Sequence, residues 1–399
     1  MKKTVRFLSL ALVCLLSSCG ESPSKSVPSS SSDSSSVSTS ETVSLENKLE
    51  GRTIDLLYRP ARNYLESKDP ASVLANAKST PGDHTNPLTL KWNIQNGKGR
   101  YALQIAKDEL FNDIYRTFDS IRPSIRSLDV ENLIPGKYFY RIKGENVVSD
   151  IDSFVIKGDL RTIATNNTII NMRDLGGWKI GEDSRVKYGL LYRSAAWNSA
   201  DKTTESRLKA LHMKTELDIR YSSSSKDYRH SEYPMSGIDY RNYGMGQYDS
   251  IVPGSPKYSS AAKANLKNTF ELLAKKESYP LTFHCTAGAD RTGTLAFLIN
   301  GFLGVSYEDL CKDFELTSFY NSRRWRSAIK DGSFDDSGVM QDDSNNYVGF
   351  GALYNQMMKH YGTSGGTLSE AIKNYLTGAC EISEKTLNSL KNILVETIE

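Results

Sequence analysis

Cysteine is scarce in this chain, five in 399 residues, and that scarcity excludes a disulfide-stapled scaffold. Two of the five fall within the first 19 residues, which leaves Cys285, Cys311 and Cys380 as thiols of the remainder. No cysteine or histidine spacing matches a zinc site, so neither a metal nor another cofactor is expected. Net charge is nearly absent as well. A formal +3 over this length implies neither a nucleic-acid partner nor a polybasic grip on a membrane. The apolar run near the N-terminus, Phe7 to Leu16, falls short of the roughly 18 residues a spanning helix needs. No internal repeat marks a solenoid or propeller.

What is present begins with a basic start (Lys2, Lys3, Arg6), that short apolar core and small residues before Cys19, the pattern of a signal peptide over residues 1–18. Leu16-Ser17-Ser18-Cys19 resembles a lipobox, which implies acylation of Cys19 and an exported chain anchored on the extracellular face of a bacterial membrane. Two acyl chains suffice for stable anchoring where one is marginal. Residues 19–45 are mostly serine and cannot form a core. They read as a tether with an end-to-end distance of roughly 25–30 Å.

Residues 46–158 read as a separate small all-β module. Leu88, Leu90 and Trp92 alternate, as do Tyr101, Leu103 and Ile105, and Tyr138, Tyr140 and Ile142, with Asn96-Gly97 and Pro135-Gly136 marking turns. Leu133 to Ile142 resembles the late strands of a fibronectin type III domain, with Tyr138 as its corner tyrosine. A spacer or packing partner for the region that follows is the expected role.

Residues 159–399 alternate strand and helix patterns, an α/β signature. Helices are expected over Asp201 to Met213 and Ser259 to Lys275, and strands around Leu217 to Ile219 and Leu281 to Phe283. Between that last strand and a strongly apolar helix (Leu295 to Ile299, Phe302, Leu303) lies His284-Cys285-Thr286-Ala287-Gly288-Ala289-Asp290-Arg291-Thr292-Gly293. A loop at a helix N-terminus offers unpaired N–H groups and a positive dipole end to a dianion. Arg291 adds a bidentate grip on two phosphoryl oxygens. The same field lowers the pKa of the Cys285 thiol and supplies a nucleophilic thiolate.

His-Cys, Gly288 and Arg-Thr-Gly together resemble the signature of cysteine-dependent tyrosine phosphatases. The earlier Asn171-Met172-Arg173-Asp174-Leu175-Gly176-Gly177 and Leu191-Tyr192-Arg193-Ser194 resemble the atypical bacterial branch of that family, over about residues 160–395. The resemblance implies a central mixed sheet flanked by helices and hydrolysis of phosphotyrosine, or dual-specificity, phosphomonoesters through a phosphocysteine. It gives Cys285 attack, Arg291 transition-state binding and Thr292 release of the thiolate, with His284 and Thr286 to Ala289 forming the loop. For the general acid, Asp290 within the loop is the first candidate and Asp249 on an upstream segment the second. Asp290 as a helix cap is the structural alternative.

Arg173 and Asp174 read either as pocket wall or as an ion pair bracing the loop, and Asp218 as a carboxylate that orients Arg291 or another arginine. The cluster Arg323-Arg324-Trp325-Arg326 reads first as a solvated helix face, and alternatively as a basic group that meets an anionic substrate. One departure from the branch is Ala289, where a lysine is usual. A lysine there would add a cation at the pocket rim, so its absence argues against a phosphoinositide substrate, and phosphoinositide phosphatase activity stays as an alternative. A phospho-ligand-binding adhesin with little catalysis is the alternative of a different class, and an intact Cys285, Arg291 and Thr292 argue against it.

Overall fold

The computed structural model describes residues 40–77, 87–158, 160–165, 167–221, 235–254, 258–320, 326–328, 333–334, 340–341 and 350–398. The signal peptide, Cys19, most of the tether and Arg323 to Trp325 lie outside the described residues. Among the described residues no helix is long and apolar enough to cross a membrane.

The first module is built from strands β1 (Thr42–Glu46), β2 (Arg52–Asp55), β3 (Leu88–Gln95), β4 (Tyr101–Ala106), β5 (Ile114–Ile121), β6 (Ser127–Val130), β7 (Gly136–Lys143) and β8 (Asp152–Lys157). They form two sheets, ordered β1-β3-β6 and β2-β8-β7-β4-β5. Alternation does the work here: every second residue of β3, from Leu88 to Ile94, is buried, and Tyr138, Tyr140 and Ile142 of β7 join the same core. The Tyr138 hydroxyl donates to the Ile134 carbonyl at 2.7 Å, tying the turn before β7 to its own strand.

Two boundaries differ from expectation. Residues 42–45, read as tether, belong to β1, because Leu45 buries itself in the sandwich core. The module is also not all-β. Between β2 and β3 the chain forms α1 (Arg59–Glu66) and α2 (Pro70–Asn76), whose starts carry Pro60 and Pro70 where a missing N–H costs nothing. Leu57, Ala61, Tyr64, Leu74 and Ala77 from this hairpin pack into the core of the following region rather than into the sandwich.

That region contains β9 (Arg173–Asp174), β10 (Lys179–Ile180), β11 (Ser184–Val186), β12 (Leu191–Ser194), α3 (Lys202–Ala210), β13 (Thr215–Asp218), β14 (Asp239–Asn242), α4 (Ser260–Leu273), β15 (Leu281–His284) and α5 (Asp290–Leu303). Then follow α6 (Tyr307–Glu315), α7 (Thr317–Tyr320), α8 (Phe350–Tyr361), α9 (Leu368–Asn374) and α10 (Glu384–Leu394). The main sheet runs β14-β13-β15-β12-β9. Its first four strands are parallel and β9 is antiparallel to β12, the expected mixed sheet. Strands β12, β13 and β15 are buried at every position, as parallel strands covered on both faces must be. Asp201 caps α3 by accepting from Thr204 N–H at 2.8 Å, so the helix begins where the pattern predicted. Helix α5 is buried along nearly its whole length and stops at Gly304, whose φ of +103° needs glycine. The central strand β15 therefore delivers the loop after it to the carboxyl edge of the sheet, against the start of α5.

Candidate active site

The loop from Cys285 to Ala289 is held from outside by its carbonyls. Ala196 N–H donates to the Thr286 carbonyl at 3.2 Å, and Asn171 Nδ2 donates to Ala287 O at 3.2 Å and Gly288 O at 2.9 Å. Arg193 Nη2 adds a 2.9 Å bond to Gly288 O. Across a planar trans peptide the carbonyl and the next N–H point in opposite directions. Turning these carbonyls outward thus turns the N–H groups of Ala287, Gly288 and Ala289 inward, toward one concave face. Gly288 is required twice over: its φ is +66°, and a Cβ there would stand 2.5 Å from the Ser194 backbone.

Cys285 lies at the bottom of this cradle, 3% exposed. Burial pushes its thiol pKa up, but the Arg291 charge and the hydroxyl and N–H of Thr292 outweigh that, and the net direction is below an ordinary thiol. Thr292 sits in the first turn of α5, where N–H groups have no helical acceptor. Its hydroxyl is buried, makes no well-formed hydrogen bond to nitrogen or oxygen among the described residues, and acts on the sulfur. Arg291 reaches back to the Thr286 hydroxyl at 3.4 Å, which puts its guanidinium beside the loop. The other two thiols differ: burial raises Cys311, and raises Cys380 to about 11.

His284 is fully buried and bonded through Nε2 to Glu216 at 2.9 Å, with Nδ1 3.3 Å from the Cys285 carbonyl and 3.9 Å from Asp218. Burial lowers its pKa, while the Glu216 bond and the Asp218 charge raise it further than burial lowers it. When protonated, the ring donates from both nitrogens, to Glu216 and to the Cys285 carbonyl. It organises the loop, and Trp197 stacks near it at 6.0 Å.

The carboxylates and arginines of the earlier motif divide by strand face. Arg173 bonds Asp313 Oδ1 at 3.2 Å and Asn171 Oδ1, while Arg193 bonds the other Asp313 oxygen. Asp313 thus joins two buried arginines that hold the loop-bracing Asn171 and Gly288. Asp174, one residue on, points the other way and pairs with Arg161 at 2.6 Å. Arg173 and Asp174 are therefore not paired with each other, and it is Arg173 that braces the loop. Asp218 orients Arg220 through a bidentate pair, 2.9 Å and 2.7 Å.

Asp290 is in α5 at its first position, with Ala289 at the cap, so a capping role does not apply. Its carboxylate takes both guanidinium bonds of Arg326, 2.7 Å and 2.8 Å, and a 2.6 Å bond from the Tyr248 hydroxyl. Arg326 is thus no part of a solvated helix face. The Asp249 side chain lies outside the described residues, although the Tyr248–Asp290 bond brings its segment to the same corner. Ala289 is fully buried, which removes the premise that a cation missing there is missing from the rim. Sequence reasoning gave no role to Asp313, Glu216 or Tyr248, which carry no local pattern, and named Arg326 only within a basic run. Asn171 and Arg193 stood inside the quoted motifs, and only their role was hidden.

A model of the tyrosine phosphatase family matches residues 165–396. A Cupriavidus necator protein named for tyrosine-protein phosphatase activity is 28% identical over 183 residues, 41% of this chain and 66% of that protein. A tyrosine-protein phosphatase of Nostoc commune is 28% identical over 72 residues, 18% of this chain and 24% of that protein. The chain spans just under two thirds of the first relative and about a quarter of the second. Among solved structures, the catalytic domain of the PP-IP phosphatase SIW14 from S. cerevisiae with citrate is 19% identical. It covers 34% of this chain and 76% of its own, at a TM-score of 0.24. A second Siw14 catalytic core is 20% identical over 33% and 74% of the two chains, at a TM-score of 0.24.

Proposed function

The chain belongs to the tyrosine phosphatase family, and from that premise we propose that it hydrolyses phosphotyrosine, or dual-specificity, phosphomonoesters through a phosphocysteine while anchored outside the cell by acylated Cys19. One observation carries the reading: a thiol lowered in pKa lies under inward-turned amides at the start of α5, beside Arg291. A phosphoester drawn to those amides is brought against the Cys285 sulfur.

In the first step Cys285 Sγ forms a bond to phosphorus as the bond to the leaving oxygen breaks, and a carboxylic acid gives that oxygen its proton. Arg291 and the loop amides hold the equatorial oxygens, whose charge grows in the transition state. Water then attacks the phosphocysteine, its proton passes to the same carboxylate, and the thiolate leaves beside Thr292. Asp290 is the acid assigned here, and Asp249 is the second candidate. A pure phospho-ligand binder would have no use for a thiol shifted toward its thiolate form. The Tyr138–Ile134 bond supports a fibronectin type III-like reading of the sandwich, which serves as a spacer.

Cys285→Ser is expected to abolish turnover, more than about 1,000-fold in kcat, while orthovanadate still binds, because the cradle and Arg291 remain. Rapid-quench assays on phosphotyrosine peptides read the loss. The same panel with phosphoserine peptides and phosphoinositides ranks substrates, and faster phosphoinositide turnover by the wild-type chain would displace the phosphotyrosine assignment. Cys19→Ala is expected to move the protein from the membrane to the soluble fraction, and unchanged fractionation would refute the anchor.

A further inference from the structure

Asp290 is held by an arginine, and that arginine is itself held. Arg326 N–H donates to Ser318 Oγ at 2.8 Å, and Ser318 Oγ donates to the Arg326 carbonyl at 2.8 Å, so its backbone is clamped on α7. Two residues on, Ala328 N–H donates to Glu315 Oε1 at 2.8 Å, with Ser327 Oγ 3.4 Å from the same oxygen. The other oxygen of Glu315 accepts from the hydroxyl of Tyr64 on α1, which is 251 residues away in sequence and packs its ring on Phe319 at 5.3 Å. Tyr64 is 2% exposed and Glu315 8%. Hydrogen bonds thus link the N-terminal hairpin through Glu315 to Ser327 and Ala328, the backbone carries the link to Arg326, and Arg326 bonds the Asp290 carboxylate at the start of α5.

We propose that Tyr64 is a positioning residue for the phosphatase reaction, acting through Glu315 to set Arg326 on Asp290. The inference rests on the reading of Asp290 as the general acid. The physical content is one of competition. Against a bidentate guanidinium Asp290 prefers its ionised form, whereas an acid must hold a proton. The arriving phosphoester brings oxygens that also bind a guanidinium, and an Arg326 on a clamped backbone can turn to them without leaving the site. A loosened Arg326 holds Asp290 less well. Among the described residues, groups that face the Asp290 carboxylate include Arg326 from the segment after α7, Tyr248 from the turn before α4, and Cys285, whose thiol feels its charge.

The sign follows. Taking away a cation raises a carboxyl pKa, and an acid works only while protonated, so the alkaline limb of kcat/KM moves to higher pH. In the full-length chain Arg326→Gln is expected to move that limb up by about one pH unit. Tyr64→Phe, which keeps the ring on Phe319, is expected to move it the same way by less. The Tyr64→Phe/Arg326→Gln double variant should match Arg326→Gln alone, since both act on one line. Amide exchange in Tyr64→Phe should speed up at Arg326 and Ala328, an arm that does not depend on which acid reacts.

A limb and exchange rates unmoved in Tyr64→Phe, even with a lower melting temperature, would reduce Tyr64 to a structural contact and overturn the proposal. So would additive shifts in the double variant. Asp290→Asn separates the two readings. If it keeps wild-type kcat and limb, the acid assignment falls, and the exchange arm alone then decides whether Tyr64 places Arg326.

Discussion

Cys285 differs from the other described cysteines in the charges around it and not in burial, since Cys285, Cys311 and Cys380 are all buried. Burial alone moves a thiol up, as it does for Cys311 and Cys380. Arg291 and Thr292 reverse the direction at Cys285. Iodoacetate, an anion of suitable shape, should therefore alkylate Cys285 at a pH where the other two remain intact, and inorganic phosphate should protect it. Peptide mass mapping against pH reads this directly. A Cys285 that follows the same pH dependence as Cys380 would mean that the loop does not stabilise its thiolate.

Among the elements, the strand–loop–helix unit β15–α5 makes the cradle, but elements far away in sequence shape it. Strands β9 and β12 supply Arg173 and Arg193, and α6 supplies Asp313 between them. Burial raises the Asp313 pKa, the two arginines lower it more, and the net direction is below its ordinary 3.8. A carboxylate lowered on folding contributes stability that is complete above its unfolded pKa and is lost as pH falls through the folded one. Asp313→Ala leaves two buried cations without their shared partner and is expected to cost about 3–5 kcal/mol near neutral pH. Thermal melts should show the gap to wild type narrowing as the solution is taken below pH about 4. Activity should fall with it, because Asn171 and Arg193 hold Gly288 only while Asp313 holds Arg173 and Arg193.

For the whole molecule, the module boundary and the functional boundary do not coincide. The hairpin α1–α2 belongs to the N-terminal part by chain order and to the core of the following region by packing, with Tyr64 and Leu74 inside that core. The sandwich also joins it through polar contacts, Arg161 to the Asn132 carbonyl at 2.8 Å and Arg207 to Glu131 at 2.8 Å. A truncated chain of residues 159–399 would expose the surface that Leu57, Ala61, Tyr64 and Leu74 cover. At roughly 2 kcal/mol for each large buried apolar side chain, the loss is comparable with the whole stability of a domain. Such a chain should melt well below the full-length protein and associate on size-exclusion chromatography. Equal melting temperatures would mean that the hairpin is a passenger.

The loop that carries Cys285 and Arg291, the strand before it and the helix after it were legible in the sequence, because each depends on neighbours within about twenty positions. Residues 281–303 carry an apolar strand, a glycine-bearing loop and an apolar helix, and their physics is local. The sandwich strands were legible for the same reason, through alternation. What only the tertiary structure decided is which distant side chains complete the loop. Asp313 is an acidic residue on an amphipathic helix, Arg326 one cation in a basic run, and Tyr64 an aromatic on a short helix. Local pattern assigns each of them an ordinary place. Their roles arise where folding buries opposite charges and leaves each needing a partner, and that partner is chosen by the packing of the sheet and helices and not by spacing along the chain. Ala289 shows the limit from the other side, since a position in the heart of the motif turned out to be buried, and burial is a property of the fold.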